Sequence, residues 1–443
     1  MSIFRAYDIR GVYGRDFNDD FAESVGRAFG STAEGTVAVG RDMRLSGEAL
    51  SGRLIAGLRS AGVDVVDIGV VPTPLLYFAV NYFKYGSGVM ITASHNPAEY
   101  NGFKFLRNYE TLHGQQISNL KTLIDKRKFR KGAGGLKTKD VTNDYVQFVR
   151  ERIRIQRKIK VVLDSGNGMG GVVAPRLLRE LGCDVVELYS KPDGSFPNHH
   201  PDPTVDENLK QLVKEVVKQK ADFGVGFDGD ADRAGFVDDR GRIMRGDQAL
   251  ILFAREVLKK HKGAKIICEV KCSQAVEEEV LKHGGVFIMY RTGHSFIKQK
   301  IREEKAALAG EMSGHFYFAD NYYGFDDAIY ATARMAELLS NTDKSLSKLV
   351  DGMPKYHATP EIRVDCPDEK KFQIVAAVSK RLQKNGLKVI TIDGARIVYP
   401  DGWGLIRASN TTPNLILRFE AKTQKRLEEI QKVIMDELKS ALN

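Results

Sequence analysis

Three carboxylates alternate along a short segment near the middle of the chain. Asp228, Asp230 and Asp232 stand in the sequence Asp-Gly-Asp-Ala-Asp-Arg, directly after an apolar run. A locally extended backbone would bring the three carboxylates to one side, where they suit a hard divalent cation such as Mg²⁺. An EF-hand loop does not fit, because its sixth position is Arg233 and not glycine. A solvated acidic turn is the alternative interpretation.

A serine stands in the segment Thr-Ala-Ser-His-Asn-Pro at residues 92–97. Ser94 alone would be typical of a helix cap or a turn. The side chains of neighbouring residues tend to point apart, so a hydrolytic relay from Ser94 to His95 is not favoured. No Gly-x-Ser-x-Gly elbow surrounds the serine. The residue types therefore favour a serine that carries a phosphoryl group beside a metal ion, which neutralises the charge of the transfer.

Two further polar segments offer hydrogen-bonding groups to a ligand. Residues 310–315 read Gly-Glu-Met-Ser-Gly-His, a polar set of the size of a sugar. Residues 407–413 read Arg-Ala-Ser-Asn-Thr-Thr-Pro. One planar guanidinium together with several hydroxyl and amide side chains suits a phosphate group.

A glycine-rich segment indicates an enzyme of another class. Residues Gly166–Gly171 read Gly-Asn-Gly-Met-Gly-Gly, which satisfies the dinucleotide-binding pattern Gly-x-Gly-x-x-Gly between a strand and a helix. However, Asp164 and Ser165 separate the strand from the glycines, and a hydride transfer would leave the three aspartates without a role. An NAD-dependent dehydrogenase using Gly166–Gly171 stays as the alternative from another class.

Other candidate metal ligands are weaker. His199 and His200 could bind a metal, but three prolines within eight residues favour a rigid loop. Cys268 and Cys272 are four positions apart without two further ligands nearby in sequence, so they do not indicate a zinc site. We expect the cysteines to be reduced and buried; they are Cys183, Cys268, Cys272 and Cys366.

A unit that repeats three times along the chain must position these segments. Each copy has a β-rich run, a helical stretch, a glycine, a second β-rich run and a short apolar strand. The elements are predicted at 36–40, 49–60, 63–68 and 88–91; at 159–164, 172–181, 185–188 and 223–227; and at 264–270, 274–282, 286–290 and 306–309. Such alternation implies mostly parallel sheets covered on both faces. The segments 92–97, 228–233 and 310–315 directly follow the last strands of the three copies, at the sheet edge where parallel sheets bind ligands.

The pattern changes at about residue 355. Strands are predicted at 362–364, 388–392, 395–399 and 405–407, and helices at 369–384 and 424–442. The predicted fold is α/β, with three consecutive similar domains that have mixed, mostly parallel sheets, followed by a C-terminal α+β domain. The predicted domains are residues 1–140 with Ser94, 141–243 with the aspartates, 244–354 with the sugar-sized segment and 355–443 with the phosphate-binding segment.

The composition excludes several classes of protein. The 443 residues are 42% hydrophobic and 28% charged, as in globular proteins with packed cores. The net charge of +10 is spread along the chain, and its densest basic run, at 126–139, is predicted to be a solvated interdomain connection. Nucleic-acid binding is not predicted, since no basic stripe with interleaved aromatics occurs. No apolar run approaches the ~20 residues that span a bilayer, and the first residues do not form a signal, so a cytoplasmic protein without membrane contact is expected.

Together, these motifs resemble the α-D-phosphohexomutase family over essentially the whole chain. The motifs occur in the family's order at 4–11 (Phe-Arg-Ala-Tyr-Asp-Ile-Arg-Gly), 92–97, 101–104 (Asn-Gly-Phe-Lys), 228–233, 291–294 (Arg-Thr-Gly-His), 310–315 and 407–413. The resemblance implies four domains around a central cleft. It also implies reversible phosphoryl transfer between the 1 and 6 hydroxyls of a hexose, through a phosphoserine enzyme and a hexose 1,6-bisphosphate.

The resemblance assigns the catalytic roles residue by residue. Ser94 would carry the phosphoryl group, and its phosphate would hold Mg²⁺ together with Asp228, Asp230 and Asp232, with Arg233 beside them. Lys104 matches the family position proposed to move the hydroxyl proton, which requires a lowered pKa. A counter-ion for phosphate is the alternative role of Lys104. His95 and His294 would assist orientation or proton transfer.

The resemblance also implies the substrate contacts. Tyr7, Arg10 and Lys271 would line the cleft. Glu311 and Ser313 would bind the 3 and 4 hydroxyls of the sugar. The phosphate that does not react would be held by Arg407, Ser409, Asn410 and Thr411.

The identity of the hexose is the open part of this expectation. Met312 resembles the subgroup that acts on mannose and glucose phosphates, whereas phosphoglucosamine mutases usually carry Gln at that position. A phosphoglucosamine mutase therefore remains the alternative within the family. The expected partners are a small phosphosugar, Mg²⁺ and a hexose 1,6-bisphosphate as activator, and the sequence does not indicate an oligomeric state.

Overall fold

The structure is a computed structural model that describes residues 3–409 and 412–442. Within these ranges the strands form four sheets, which follow one another along the chain. The predicted site residues Asn410 and Thr411 lie outside the described residues. The domain boundaries predicted at 140, 243 and 354 stay a prediction, since the sheets fix only where their own strands lie.

The first sheet contains the strand that leads to Ser94. Its strands are β1 (Ile9–Val12), β2 (Val37–Arg41), β3 (Val65–Val70), β4 (Ser87–Ile91), β5 (Tyr100–Arg107), β6 (Glu110–Thr111) and β7 (Leu136–Thr138). The accompanying helices are α1 (Asp19–Gly30), α2 (Gly47–Ser60), α3 (Thr73–Tyr82) and α4 (Gln115–Asp125). The strand order is β1-β5-β4-β2-β3-β7, with β6 beside β5.

The basic run at 126–139, predicted to be a solvated interdomain connection, is mostly exposed, and it also contains a strand that the sequence analysis did not predict. Its last residues form β7, which pairs in parallel with β3 at the edge of the first sheet. Gly134 packs so closely on the connection between α2 and β3 that a Cβ atom would lie 1.9 Å from the carbonyl oxygen of Val63. The glycines of this run thus permit close backbone packing at the edge of the first sheet.

The second sheet leads to the three aspartates. Its strands are β8 (Lys160–Asp164), β9 (Asp184–Leu188), β10 (Phe223–Phe227) and β11 (Ala234–Asp238). Its helices are α5 (Thr142–Arg150), α6 (Gly170–Glu180) and α7 (Lys210–Gln219), with a 3₁₀ turn at Asp206–Leu209. The strand order is β11-β10-β8-β9.

The third sheet leads to the sugar-sized segment. Its strands are β12 (Lys265–Glu269), β13 (Val286–Tyr290), β14 (Leu308–Gly310) and β15 (Phe316–Phe318). The helices of this region are α8 (Gly246–Lys260), α9 (Gln274–Lys282), α10 (His294–Glu304), α11 (Ala328–Ser340) and α12 (Leu346–Asp351). The strand order is β13-β12-β14-β15.

The three sheets share one topology, which confirms the predicted repeat. Each contains three parallel strands followed by an antiparallel one, in the orders β5-β4-β2-β3, β11-β10-β8-β9 and β15-β14-β12-β13. The third strand of each unit lies beside the first, so its carboxyl end opens at the middle of the sheet. One core of buried side chains runs from Ala38 to Met353 through all three units, which fixes their loops relative to one another.

The fourth sheet is antiparallel. Its strands are β16 (His357–Ala358), β17 (Ile362–Asp365), β18 (Lys388–Ile390), β19 (Ala395–Tyr399), β20 (Gly402–Ala408) and β21 (Asn414–Ala421), and its helices are α13 (Asp368–Lys384) and α14 (Gln424–Leu442). The sequence analysis did not predict β21, because Arg418 and Glu420 interrupt its apolar pattern. Both are buried and hydrogen-bonded in the structure.

No helix in the described ranges combines the length and the apolar character that crossing a membrane requires.

Candidate active site

Ser94 lies at the carboxyl end of β4, in the loop that leads to β5. Its φ angle is +50°, a left-handed conformation that is uncommon outside glycine, and its side chain is buried. The hydroxyl donates a hydrogen bond of 2.6 Å to Oδ2 of Asp228, which follows β10 in the second sheet. The fold therefore brings the serine of one repeat into contact with the carboxylates of the next.

The left-handed backbone also places His95 beside the serine. Nδ1 of His95 lies 3.2 Å from Oγ of Ser94, so the expectation that these adjacent side chains point apart was wrong. An extended backbone would have separated them, but the turn at Ser94 does not. Burial and the nearby charge of Arg233 hold the pKa of His95 well below its ordinary value, so the imidazole is neutral.

The three aspartates form a buried cluster. An oxygen from each of Asp228, Asp230 and Asp232 lies within 4.8 Å of the others. Among the described residues, Oδ1 of Asp230 and Oδ1 of Asp232 are buried without a hydrogen-bond partner. Burial raises the pKa of Asp228 well above its ordinary value, and the charges of the other two aspartates add to this shift. Buried carboxylates with unused oxygens are the donors that Mg²⁺ prefers, so the residues present fit this ion.

Lys104 contacts the same cluster from β5, the antiparallel neighbour of β4. Its ammonium donates to Oδ2 of Asp230 at 2.7 Å and to Oδ2 of Asp232 at 2.6 Å. Burial alone would lower the pKa of Lys104, but the two carboxylates outweigh burial and raise this pKa well above its ordinary value. The expectation of a lowered pKa was wrong for this state of the site, because it considered burial and not the two partners.

His315 is a site residue to which the sequence analysis assigned no role. Its Nε2 accepts a hydrogen bond of 3.1 Å from Nε of Arg233. Its Nδ1 lies 3.1 Å from the carbonyl oxygen of Asp232 and 3.2 Å from Oδ2 of Asp326. These contacts join the segment 310–315 to the aspartate loop. The sequence feature that could have identified His315 is its position at the end of the polar segment 310–315.

Glu311 connects two loops of the third sheet. Its carboxylate accepts hydrogen bonds from the backbone N–H of Gly293 at 2.8 Å and from the hydroxyl of Tyr317 at 2.6 Å. Ser313, two residues later, is half-buried. Each carboxylate oxygen of Glu311 therefore accepts one hydrogen bond from the protein, and the two bonds fix the orientation of the group.

The N-terminal segment contacts the third sheet through aromatic rings. Tyr7 packs edge-on against the imidazole of His294, with the ring centres 5.1 Å apart. Burial raises the pKa of Tyr7 to about 12. Burial and the cation of Lys298 keep the pKa of His294 well below its ordinary value, so this imidazole is neutral as well. Arg10 donates a hydrogen bond of 2.7 Å to Oδ1 of Asn96 in the Ser94 loop.

The fourth sheet contributes a buried guanidinium. Nε of Arg407 donates to Oδ2 of Asp393 at 2.9 Å, and the same carboxylate oxygen accepts from the backbone N–H of Thr292 at 3.0 Å. Thr292 precedes Gly293 and His294 in the third domain. Asp393 therefore joins Arg407 to the loop that contains Thr292 and Gly293.

Lys271 and Ser409 lie in the same region. Nζ of Lys271 donates to Oε2 of Glu361 at 3.2 Å, which links the third domain to the fourth. Oγ of Ser409 accepts from the backbone N–H and the hydroxyl of Thr412, at 3.1 and 2.9 Å. These bonds order the two described ends of the segment that contains Asn410 and Thr411.

The glycine-rich turn Gly166–Gly171 has a packing role. The backbone N–H of Met169 donates to the carbonyl oxygen of Gly229 at 2.8 Å, and those of Asn167 and Gly168 also donate to protein carbonyls. These N–H groups are the ones that would bind a pyrophosphate in a dinucleotide enzyme. Because the protein already uses them, the turn supports the aspartate loop, and this arrangement disfavours the dehydrogenase alternative.

His199 pairs with a carboxylate in a proline-rich loop. Its Nε2 lies 3.0 Å from Oδ1 of Asp164, and its Nδ1 lies 3.0 Å from the carbonyl oxygen of His200. Burial opposes the charge of His199, but the bond and the charge of Asp164 outweigh burial and raise its pKa. The predicted rigid loop agrees with this pairing. The four cysteines are buried and free, as expected.

Comparison with known proteins supports the four-part architecture. Family models of phosphoglucomutase/phosphomannomutase match the chain in four consecutive parts. They are alpha/beta/alpha domain I at 1–131, domain II at 143–241, domain III at 245–356 and the C-terminal domain at 361–437. The matched architecture is that of a four-domain phosphohexomutase.

Individual relatives cover almost the whole chain. A phosphomannomutase/phosphoglucomutase of Pseudomonas aeruginosa is 46% identical over 99% of this chain and 96% of its own length. A phosphoglucomutase of Neisseria gonorrhoeae is 44% identical over 97% of this chain and 95% of its own length. The crystal structure of a Burkholderia thailandensis protein of this family superposes with a TM-score of 0.94 at 44% identity, covering 99% of this chain and 97% of that one. The chain therefore belongs to the phosphoglucomutase/phosphomannomutase family, whose members are isomerases.

Proposed function

We propose that this enzyme interconverts hexose 1-phosphates and hexose 6-phosphates, with mannose, glucose or both as the sugar. The reaction would pass through a phosphoserine at Ser94 and a hexose 1,6-bisphosphate. The observation that carries the proposal is the 2.6 Å contact between Oγ of Ser94 and Oδ2 of Asp228. It joins a buried serine to a cluster that suits Mg²⁺, which is the pairing that phosphoryl transfer requires. The names of the relatives from Pseudomonas and Neisseria support the same reaction.

The transfer would proceed in two balanced steps. In the first step the bond between phosphorus and Oγ of Ser94 breaks, a bond from phosphorus to the free hydroxyl oxygen of the sugar forms, and that hydroxyl passes its proton to a basic side chain of the site, the role considered below for Lys104. The bisphosphate then reorients in the cleft, so that its other phosphate faces Ser94. In the second step Oγ of Ser94 accepts the other phosphoryl group, and the sugar oxygen that it leaves regains a proton. When bound, Mg²⁺ would neutralise charge on the transferred group.

The residues around Ser94 would handle charge and protons. The guanidinium of Arg233, fixed by His315, would face the transferred phosphoryl group. Lys104 would exchange the hydroxyl proton once its carboxylate partners engage a cation, or would act as a counter-ion. His95 and His294 are neutral at physiological pH, so each could accept or donate a hydrogen bond near the reacting oxygen.

The substrate would be held between the third and fourth domains. Glu311 and Ser313 would bind the 3 and 4 hydroxyls, and Tyr7, Arg10 and Lys271 would line the cleft. Arg407 and Ser409, with Asn410 and Thr411, would hold the phosphate that does not react. A planar guanidinium binds phosphate oxygens in pairs, and because the hexose 1,6-bisphosphate has a phosphate at each end, Arg407 would bind the ligand in either orientation.

The test of the proposal is an assay of the purified protein with Mg²⁺ and a trace of glucose 1,6-bisphosphate. We expect interconversion of hexose 1- and 6-phosphates, loss of most turnover in Ser94→Ala, and phosphate on Ser94 by peptide mass spectrometry. Normal turnover in Ser94→Ala would disprove the phosphoserine route. Saturable binding of NAD(H) would favour the dehydrogenase alternative.

Two finer points complete the proposal. Met312 favours mannose and glucose over glucosamine, which assays on the three sugar 1-phosphates side by side would decide. We further place the enzyme in the cytoplasm, where four buried and free cysteines stay reduced.

A further inference from the structure

Arg44 is a buried arginine in the loop after β2 that takes no part in the chemistry described above. Its side chain is fully buried, and its guanidinium uses each of its N–H groups. One terminal nitrogen donates to the carbonyl oxygens of Pro97 and Tyr100 at 2.7 and 2.8 Å. The other donates to the carbonyl oxygens of Ser94 and Asn96 at 2.8 and 2.7 Å. The loop between β4 and β5 therefore curls around a single cation.

The fifth N–H of Arg44 continues to a second contact with the serine. Nε donates to Oδ2 of Asp42 at 3.2 Å. The same carboxylate oxygen accepts a bond of 2.7 Å from the hydroxyl of Thr92, which in turn accepts the backbone N–H of Ser94 at 2.9 Å. The group formed by Asp42, Arg44 and Thr92, which we term the loop clamp, thus binds both the N–H and the C=O of Ser94.

No other side chain could replace Arg44 in the loop clamp with the same set of hydrogen bonds. Four carbonyl oxygens that converge on one point repel one another unless a cation with several donors lies between them. Lysine carries three donors at one atom and could not reach four carbonyls and a carboxylate. Burial raises the pKa of Asp42 and lowers the pKa of Arg44, so each charge depends on the presence of the other.

The loop clamp also sets the distance to the aspartate cluster. The aspartate loop packs directly against the carbonyl oxygen of Ser94, the same oxygen that Arg44 binds. A Cβ atom at Gly229, between Asp228 and Asp230, would lie only 2.4 Å from that oxygen. A shift of the Ser94 carbonyl would therefore change the separation between the serine hydroxyl and the carboxylates.

We propose that Arg44, acting with Asp42 and Thr92, is a positioning residue that holds Ser94 in its left-handed conformation and at its distance from Asp228. This inference rests on the proposed phosphoserine function. None of the three side chains contacts the reacting atoms. Their effect passes through the backbone of Ser94, and it should appear in the rate of phosphoryl transfer and not in substrate binding.

Three substitutions test the loop clamp while keeping each position filled by a side chain of similar size. Thr92→Val removes the hydroxyl but keeps the branched shape, whereas Thr92→Ser keeps the hydroxyl. Arg44→Lys keeps the charge but loses the fork. Arg53→Lys, on the exposed side of α2, serves as the control. We would measure kcat, KM for the hexose 1-phosphate, the unfolding temperature, and the rate at which glucose 1,6-bisphosphate phosphorylates Ser94.

We expect Thr92→Val and Arg44→Lys to lower kcat by about 10- to 100-fold with KM within about threefold of wild type, the size of effect that misplacement of a reacting group produces. Thr92→Ser should recover most of the lost turnover, and Arg53→Lys should behave as wild type. Phosphorylation of Ser94 should slow in proportion to kcat, while the folded fraction stays constant in Thr92→Val.

Several results would overturn the inference. A fully active Thr92→Val, or equal losses in Thr92→Val and Thr92→Ser, would show that the hydroxyl does not position the serine. A loss of kcat that matches the loss of folded protein would reduce the loop clamp to a structural role. If Ser94 of the wild-type protein never acquires phosphate, the proposed function fails as well. If Ser94 is phosphorylated in the wild type and Thr92→Val is fully active, only the inference about the loop clamp fails.

Discussion

Nζ of Lys104 lies 2.6 Å from Oδ2 of Asp232, although the two residues are 128 positions apart in the chain. The ammonium neutralises part of the charge of a carboxylate cluster that burial would otherwise make unfavourable. This contact explains how three aspartates stay together in the folded protein. Lys104 and a divalent cation would therefore both offset the charge of the same carboxylate cluster, Lys104 through the Oδ2 atoms and the cation through the unpartnered Oδ1 atoms.

Replacement of Lys104 by Met should make the stability of the protein depend on Mg²⁺. The variant leaves buried carboxylates without their counter-ion, a loss that typically costs about 3–5 kcal/mol. We expect a lower unfolding temperature without metal, and a larger rise on addition of Mg²⁺ than in wild type. Calorimetry with and without Mg²⁺ measures both. Lys121→Met, which breaks an exposed ion pair in α4, is the control. An equal Mg²⁺-induced rise in variant and wild type would contradict this role for Lys104.

Removal of divalent metal should stop turnover, and Mg²⁺ should restore it. In Asp230→Asn, the Mg²⁺ concentration that gives half-maximal activity should rise by about tenfold or more, because one charged ligand becomes a neutral one. Titration of EDTA-treated protein with Mg²⁺ gives this value. Asp144→Asn, at a partly exposed position in α5, should leave the titration unchanged. Metal dependence identical to wild type in Asp230→Asn would remove the triple-carboxylate site.

The close approach of two loops predicts that Gly229→Ala is damaging. The added Cβ would lie 2.4 Å from the carbonyl oxygen of Ser94, so the serine and aspartate loops must separate. We expect kcat to fall by about tenfold or more. Gly52→Ala is the matched control, since nothing lies within 4 Å of its added Cβ. It should keep full activity and gain about 0.5–1 kcal/mol in the free energy of unfolding, as expected for alanine within a helix. Wild-type turnover in Gly229→Ala would show that the loops can part freely.

The pairing of His199 with Asp164 predicts a specific pH dependence of stability. The pKa of His199 is raised above its ordinary value of 6.5, because the folded state stabilises the protonated ring. This contribution is complete below pH 6.5 and is lost as the pH rises through the higher pKa of the folded protein. The difference in unfolding temperature between wild type and His199→Gln, measured across this range, should shrink as the pH rises. A difference that is constant or grows with pH would contradict the charged pair.

Much of the fold could be predicted from the sequence because its signals are local. Alternating apolar runs, helical periodicity and glycines located the repeated unit, and β10, α9, β13 and β19 begin and end where the pattern places them. The strand Asn414–Ala421 escaped because it buries Arg418 and Glu420, whose partners lie elsewhere in the chain. The strand β7 at the end of the basic run escaped because close backbone packing at glycine leaves no mark in composition.

The sequence by itself determined the chemical groups of this protein. They are Ser94, the three aspartates Asp228, Asp230 and Asp232, and Arg233, each in a loop after a strand of a repeated unit. Only the tertiary structure decided which of them meet. The contact of Ser94 with Asp228 spans 134 residues, the approach of His95 depends on one positive φ angle, and His315 and Arg44 gain their roles from neighbours far along the chain. Local patterns report the period and propensity of a segment, whereas such contacts depend on the path of the whole backbone.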